Sequence, residues 1–365
     1  MTTKRSDRGI VRLANQSWPA TSIGGREFRR TQSKVAPWLR DVAKVWVRWC
    51  AGDEPGMVVE TSGTTGSPKV VSHARASVLA SVNDTIQHWH LVPGTKAAMV
   101  LPATFVAGQA MLIRALEGAW DLTLIQPSSQ PAWDGAMDFV AMTPHQADGW
   151  LERGSGSTQT LLLGGGPVSR TLLDKLLKSN RATVVWESYG LSETITHVAT
   201  RPLKDLDGLE GAFVPLPSAT IGVNGDGCAV VHAPSRGIHH LPTNDCIEEL
   251  PEGGFRWLGR ADDVINSGGV LVHPQTVERA FESIMPAWVS DWAAFGKADD
   301  ALGEAVVLRV DGQVPEGTHP ETWSSDWRVA LKGILGPAKT PRRIEWGSLP
   351  RTERGKLNRR WLAND

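Results

Sequence analysis

At 365 residues the chain is long enough for two domains and a sizeable core, and its 41% apolar and 21% charged residues are those of an ordinary globular protein. A formal net charge of −1 gives no basic excess for nucleic-acid binding, and no apolar run approaches the ~18 residues of a membrane span. Cys50, Cys228 and Cys246 lie far apart, without metal-ligand or C-x-x-C spacing, and no apolar run follows Lys4, Arg5, Asp7 and Arg8 to make a secretory signal, which reads as a cytoplasmic protein with reduced thiols. Sixteen tryptophans stand against one tyrosine, and most are expected to be packing residues.

In chain order, helix-spaced apolar residues after Pro37 predict an amphipathic helix over 36–47. Met57-Val58-Val59 and Val70-Val71 read as strands flanking Thr61-Ser62-Gly63-Thr64-Thr65-Gly66-Ser67-Pro68-Lys69. That loop combines glycines, hydroxyls and one lysine without an acidic group. Successive free N–H groups and a cation there suit a phosphate, although the Walker spacing is absent and a polar hairpin turn has the same composition. A helix is expected over 74–91 and a strand over 97–102. A mostly apolar helix then covers 105–116 and carries Gly108 and one charge, Arg114, which must snorkel, pair or meet an anion.

Strands follow at 122–125, 139–142, 160–163 and 184–186, with a helix over 169–179. Gly164-Gly165-Gly166 closes one of them, either as a tight turn or as a place for a flat ligand to approach. Alternating strands and helices indicate an α/β domain whose ligand lies beyond the carboxyl ends of a parallel sheet. From about 208 to 258, Gly/Asn/Asp/Pro punctuation as at Val223-Asn224-Gly225-Asp226-Gly227 predicts hairpins and a β-rich subdomain. Residues 1–260 are thus expected as one large domain, and 261–365 as a small, mobile α+β domain.

Taken singly, Glu193 reads as a helix N-terminal carboxylate, Asp245 as a turn aspartate and Lys356 as a solvated charge. The ordered set says more. Thr61–Lys69, Tyr189-Gly190-Leu191-Ser192-Glu193, Thr243-Asn244-Asp245, Gly259-Arg260-Ala261-Asp262-Asp263 and Arg354-Gly355-Lys356 together resemble the acyl-adenylate-forming, AMP-binding superfamily, from about Val58 onward. The resemblance implies that Thr61, Ser62, Gly63, Thr64, Thr65 and Gly66 grip the phosphates of ATP, with Lys69 as a catalytic cation. It implies Tyr189 against the adenine, with Gly165, Gly190 and Ser192 beside the nucleotide, and Asp245 with Arg260 at the ribose. Glu193 would hold Mg²⁺, Asp262 would be a hinge, and Lys356 would bridge the substrate carboxylate and the α-phosphate. Replacing Lys69 or Lys356 is expected to impair adenylation and spare thioester formation from preformed acyl-adenylate.

The chain also resembles the compact o-succinylbenzoate–CoA ligases of menaquinone biosynthesis, which lack an N-terminal subdomain. The shared features are Leu101-Pro102 through Gly108 to Arg114, the Pro144-His145-Gln146 turn and Leu163–Gly166. The implied acyl side comprises Gly108, Arg114, His145, Gly164 and Gly166, with Arg114 or His145 meeting the second carboxylate, and Gly268 and Gly269 border coenzyme A. The expected substrates are therefore ATP, coenzyme A and an aromatic acid, with no nucleic-acid partner; the oligomeric state is not legible. An acyl- or aryl-CoA ligase for another acid, a carrier-protein-directed adenylation enzyme and a non-catalytic nucleotide-binding relative are the alternatives. Two departures stand out: Asn244 replaces the superfamily's usual glycine, and Asn266 a frequent basic residue.

Overall fold

The computed structural model describes residues 9–32, 34–61, 69–153, 156–351 and 357–364. The chain divides into two units: Met1–Ile221 with Val231–Leu241 and Leu250–Gly254, and Gly222–Val230 with Pro242–Glu249 and Phe255–Asp365. The α/β class expected from the sequence is the one adopted. No helix among the described residues is long and apolar enough to cross a membrane.

The first unit opens with a hairpin, β1 (Ile10–Leu13) and β2 (Gln16–Pro19), then α1 (Ser22–Gln32) and α2 (Pro37–Ala51). Pro37 starts α2 where a missing N–H costs nothing, and Gly52 ends it at φ 80. A second hairpin, β3 (Met57–Thr61) and β4 (Lys69–His73), pairs Met57 with His73 and Thr61 with Lys69. Then come α3 (Arg75–His88), β5 (Lys96–Met99), α4 (Val106–Glu117), β6 (Asp121–Leu124), β7 (Ala136–Met142), α5 (Pro144–Arg153), β8 (Ser157–Leu163), α6 (Arg170–Ser179), β9 (Ala182–Gly190), β10 (His197–Pro202) and β11 (Val214–Pro215).

Nine of these strands form one sheet in the order β11-β10-β9-β8-β7-β5-β6-β1-β2. From β9 to β1 the neighbours are parallel, and antiparallel strands stand at both ends. Parallel neighbours need crossovers, which α5 and α6 supply; the order reverses between β5 and β7, the switch point beyond which ligands of such sheets bind. Central strands covered on both faces read as continuous apolar runs, as at Leu161-Leu162-Leu163. α4 is buried from Gly108 through Ala115, so it is apolar nearly all round.

β12 (Thr220–Val223), β13 (Cys228–Ala233), β14 (Ile238–Glu249) and β15 (Phe255–Arg260) form the expected β-rich, four-stranded sheet. In the second unit, β16 (Ile265–Ser267) and β17 (Val270–Val272) turn through Gly268 and Gly269, whose φ values of 61° and 83° are those a two-residue I′-type hairpin demands. α7 (Pro274–Glu282), β18 (Val289–Asp299), β19 (Gly303–Gly312), α8 (Pro320–Leu335), β20 (Arg343–Trp346) and α9 (Arg359–Asn364) complete it. β16, β17, β18, β19 and β20 make a five-stranded sheet, with β20 parallel to β19. Its core includes Phe281, Leu308, Trp327 and Leu331. Trp288, Trp323, Trp327 and Trp346 cluster there, with neighbouring ring centroids 5.3 to 6.1 Å apart.

Candidate functional site

β7, β8 and β9 are in register at their carboxyl ends, with Met142 opposite Leu163 and Leu163 opposite Glu187. The segments that leave β7 and β8, and the end of β9, therefore lie side by side. Thr143 and α5 follow β7, with His145 exposed in the helix's first turn. Gln146 is buried: its Nε2 donates to Val100 O and Ser128 O, both at 3.0 Å, and its Oε1 accepts from Thr143 N. It ties the two loops that flank the switch point. Gly108 fits α4 against the same loop, since a Cβ there would lie 2.0 Å from Pro102 O.

After β8, Gly164 N donates to Met142 O at 3.2 Å. A Cβ on Gly164 would fall 2.4 Å from Ser188 Oγ, which donates to Leu163 O. Gly165 turns with φ +81, whereas a Cβ on Gly166 would meet nothing within 4 Å. Packing thus accounts for the first glycine and the turn for the second, but neither accounts for the third.

β9 runs through Gly190, so Tyr189 and Gly190 belong to the strand; the apolar run suggested an end at Trp186. Tyr189 is buried, its ring 6.1 Å from Phe213. Arg201 stacks on Phe213 at 4.5 Å and donates to Glu187 Oε2 at 2.6 and 2.8 Å, and to the carbonyls of Leu209 and Gly211. Glu187 Oε1 accepts from Val168 N, just beyond the triple glycine. This buried pair joins the glycine turn to the strand that carries Tyr189.

Ser192–Thr194 form one 3₁₀ turn, with Glu193 exposed. His73 Nε2 lies 2.8 Å from Ser192 O, linking the Thr61–Lys69 hairpin to this turn. Thr194 accepts from Leu191 N at 2.8 Å and bonds Thr196 O at 2.7 Å. Ile195 then adopts φ 71 and ψ −63, a strained γ-turn conformation for a β-branched residue, which costs about 1–3 kcal/mol and must be held by its surroundings. Gly190 allows that turn to fold back, since a Cβ there would be 2.5 Å from Thr196 O.

Two buried guanidiniums meet this turn from behind. Arg236 Nη1 donates to Thr194 O and His197 O, both at 3.0 Å, while Asp84 Oδ2 holds its Nε and Nη2 at 3.1 and 2.7 Å. Arg114 donates to Thr196 Oγ1 at 3.1 Å and weakly to Met111 Sδ. Arg114 is 3% exposed, so it does not snorkel, and it has no ion pair among the described residues. Burial, with the charge of Arg236 added, pushes its pKa down to about 9, which leaves it charged at neutral pH. The same burial, reinforced by Arg114 and Arg236, holds His197 well below the usual histidine range, so its ring stays neutral. His73 is lowered as well, desolvation outweighing its bond to Ser192 and the charge of Glu193.

In the second unit Asp245 is buried opposite Arg260 across β14 and β15. Trp257 Nε1 donates to Asp245 Oδ1 at 3.3 Å, and Arg260 Nη1 lies 3.9 Å from the same oxygen. Asp262 is exposed and accepts from Arg260 at 3.1 Å and from the Asn244 amide at 3.2 Å to each oxygen. The side chain that departs from the superfamily's glycine thus holds the expected hinge aspartate. Asn266 Oδ1 accepts from Gly269 N, bracing the Gly268-Gly269 turn. Ser62, Gly63, Thr64, Thr65, Gly66 and Lys356 lie outside the described residues, as do the side chains of Thr61 and Lys69. Asp84, Glu187 and Arg236 had no signal in the sequence: no spacing connects them to the motifs they support.

The AMP-binding enzyme family matches residues 6–232, more than half of the chain. A probable 2-succinylbenzoate–CoA ligase of Mycobacterium tuberculosis is 30% identical over 339 residues, which is 85% of this chain and 84% of that one. A 2-succinylbenzoate–CoA ligase of Listeria monocytogenes is 27% identical over 334 residues, 84% of this chain and 69% of that one. Among solved structures, an acyl-CoA synthetase (AMP-forming)/AMP-acid ligase II-like protein from Dyadobacter fermentans is 27% identical with a TM-score of 0.59, covering 93% of this chain and 97% of that one. The o-succinylbenzoate CoA synthetase of Bacillus subtilis, in complex with its acyl-adenylate, has a TM-score of 0.71 at 22% identity, covering 85% and 69%, a likeness of fold. This chain belongs to the AMP-binding enzyme family.

Proposed function

We propose that the chain is an ATP-dependent, AMP-forming acid–CoA ligase of the cytoplasm, which activates o-succinylbenzoate and transfers it to coenzyme A in menaquinone biosynthesis. The observation that carries this reading is the side-by-side placement of the triple glycine, Tyr189 and the Ser192–Thr194 turn at neighbouring strand ends. The 30% identity to a probable 2-succinylbenzoate–CoA ligase supports the choice of acid.

On this reading the adenine lies against Tyr189, with Gly165, Gly190 and Ser192 around the nucleotide. Asp245 accepts from the ribose hydroxyls with Arg260 beside it, and Thr61–Gly66 holds the phosphates. A carboxylate oxygen attacks the α-phosphorus, the bond to the bridging oxygen breaks and pyrophosphate leaves. Such a step needs positioning and charge neutralisation more than covalent help. Lys356 offsets the repulsion between the two anions, and Lys69 stabilises the leaving group. Glu193 is exposed and in no hydrogen bond or ion pair among the described residues, which fits a magnesium ion that takes its other ligands from phosphate and water. Bound there, Mg²⁺ supplies further charge neutralisation.

In the second step the thiol sulfur attacks the acyl carbon and AMP leaves. We assign it to a conformation reached when residues 261–365 turn about Asp262, with Gly268 and Gly269 bordering coenzyme A. Gly108, His145, Gly164 and Gly166 form the acyl side. His145 meets the second carboxylate directly, or Arg114 acts on it through Thr196.

The test is a broad acid panel with ATP, Mg²⁺ and coenzyme A, the thioester being detected by mass. The expected product is o-succinylbenzoyl-CoA with AMP and pyrophosphate. Thioester from a different acid alone would replace the substrate, pyrophosphate without a free thioester would indicate a carrier-directed enzyme, and no acid-dependent pyrophosphate would reject catalysis. In the same assay Arg114→Met should raise KM for the acid far more than for ATP; equal rises would remove Arg114 from the acyl side.

A further inference from the structure

The turn that presents Glu193 is held only in part by its own sequence, through the bonds of Thr194 to Leu191 N and Thr196 O. Thr194 and Ile195 are buried, and a β-branched residue at positive φ is strained, so its surroundings must hold it there. The carbonyls on either side, Thr194 O and His197 O, share one donor, Arg236 Nη1. That guanidinium is fully buried and fixed by two bonds to a single oxygen of Asp84, whose position is set in turn by Ser218 Oγ at 2.6 Å. That chain of contacts reaches the site through backbone, at the Thr194 carbonyl.

We propose that Arg236, oriented by Asp84, is a positioning residue: by bridging Thr194 and His197 it locks the Ile195 turn and so aims the Glu193 carboxylate at the metal–nucleotide complex. A fork-shaped donor meets this need, because one nitrogen serves both carbonyls while the other two are held by the acid. A lysine ammonium in the same place keeps the charge but cannot span both sets of partners. The inference rests on the reading of Glu193 as the magnesium carboxylate.

Calorimetric ATP binding with Mg²⁺ and with EDTA separates the possibilities, since it measures the ion's contribution without turnover. Residues that orient a metal ligand typically change metal affinity by ~10–100-fold, so Arg236→Lys should reduce the Mg²⁺-dependent gain in ATP affinity by about tenfold. Its affinity in EDTA should remain near the parent's. Asp84→Asn, which keeps the guanidinium but loosens its orientation, should show a smaller loss of the same kind and stands in if Arg236→Lys does not fold. Glu193→Gln should abolish the gain, and adding Arg236→Lys to it should cause no further loss.

If Arg236→Lys weakens ATP binding equally in both buffers, or binds with the full Mg²⁺-dependent gain, the positioning role is wrong. If Glu193→Gln itself retains the gain, it is the reading of Glu193 that fails.

Discussion

Removing Arg201 separates a buried ion pair from mere packing. The side chains of Arg201 and Glu187 are 7% and 6% exposed, and the pair makes two charge-assisted bonds. Arg201→Met would leave the Glu187 carboxylate with Val168 N as its remaining hydrogen-bond partner among the described residues. Breaking one side of such a pair costs about 3–5 kcal/mol, because the stranded charge stays desolvated. For a unit of this size that corresponds to a fall in Tm of about 6–20 °C. Denaturant unfolding of Arg201→Met, Glu187→Met and the double variant measures it directly. The double variant should be less destabilised than the sum of the two singles, because it strands no charge, although it leaves the Val168 N–H unpaired at about 1–3 kcal/mol. ATP affinity should fall in Arg201→Met, since the pair anchors both the glycine turn and Phe213 beside Tyr189. A loss below about 1 kcal/mol in Arg201→Met, or a double variant equal to the sum of the singles, would refute the stranded-charge reasoning.

Gly190→Ala should cost about 1–3 kcal/mol of unfolding free energy, because its methyl would meet backbone atoms, Thr196 O at 2.5 Å and His197 Cα at 2.6 Å, which cannot swing aside. Gly166→Ala, with open space around the added methyl, should unfold like the parent while raising KM for the acid or ATP; an unchanged KM would remove Gly166 from the ligand surface. Stability should also decline as pH falls below 6.5. The unfolded His197 then takes up a proton that its folded, depressed pKa refuses, so this contribution is complete above that pH and lost on acidification. His197→Phe keeps the ring packed against Trp89 and should flatten the acid limb of a pH–stability profile; the same slope in both proteins would exclude His197 as its source.

Much of the first unit was legible because its signals are local. Pro37 and Gly52 bracket α2, and Ser169 caps α6 by accepting from Leu172 N at 3.1 Å. Where an element depends on distant partners, the sequence was silent. β1 and β2 are four residues each and are secured by pairing β1 with β6. β9 extends past its apolar run because β10 pairs it as far as Gly190, beyond the last β8 pair at Glu187. α8 was missed although Pro320 and Gly336 bracket it, since it buries little beyond Trp327 and Leu331 and so lacks a broad apolar stripe. The site divides in the same way. Gly164–Gly166 and Tyr189–Glu193 are contiguous and could be read as motifs. The clamp behind them is drawn from α3, α4 and the 234–236 turn, and the fold alone makes those segments neighbours.

The tryptophan cluster gives the second unit a spectroscopic identity of its own. With one tyrosine in the whole chain, near-ultraviolet absorption and emission are almost entirely indole signals. Trp288, Trp323, Trp327 and Trp346 are close enough for their transitions to couple and for excitation to pass among them. Such coupling depends on fixed ring geometry, so it vanishes when side-chain packing loosens even if helices and strands persist. The first unit has smaller counterparts, the stacked pair Trp133 and Trp150 at 5.0 Å and the edge-on pair Trp89 and Trp186 at 6.0 Å. Silencing both pairs by substitution leaves near-ultraviolet dichroism weighted toward the four-ring cluster, whose loss then follows the melting of the second unit without a label.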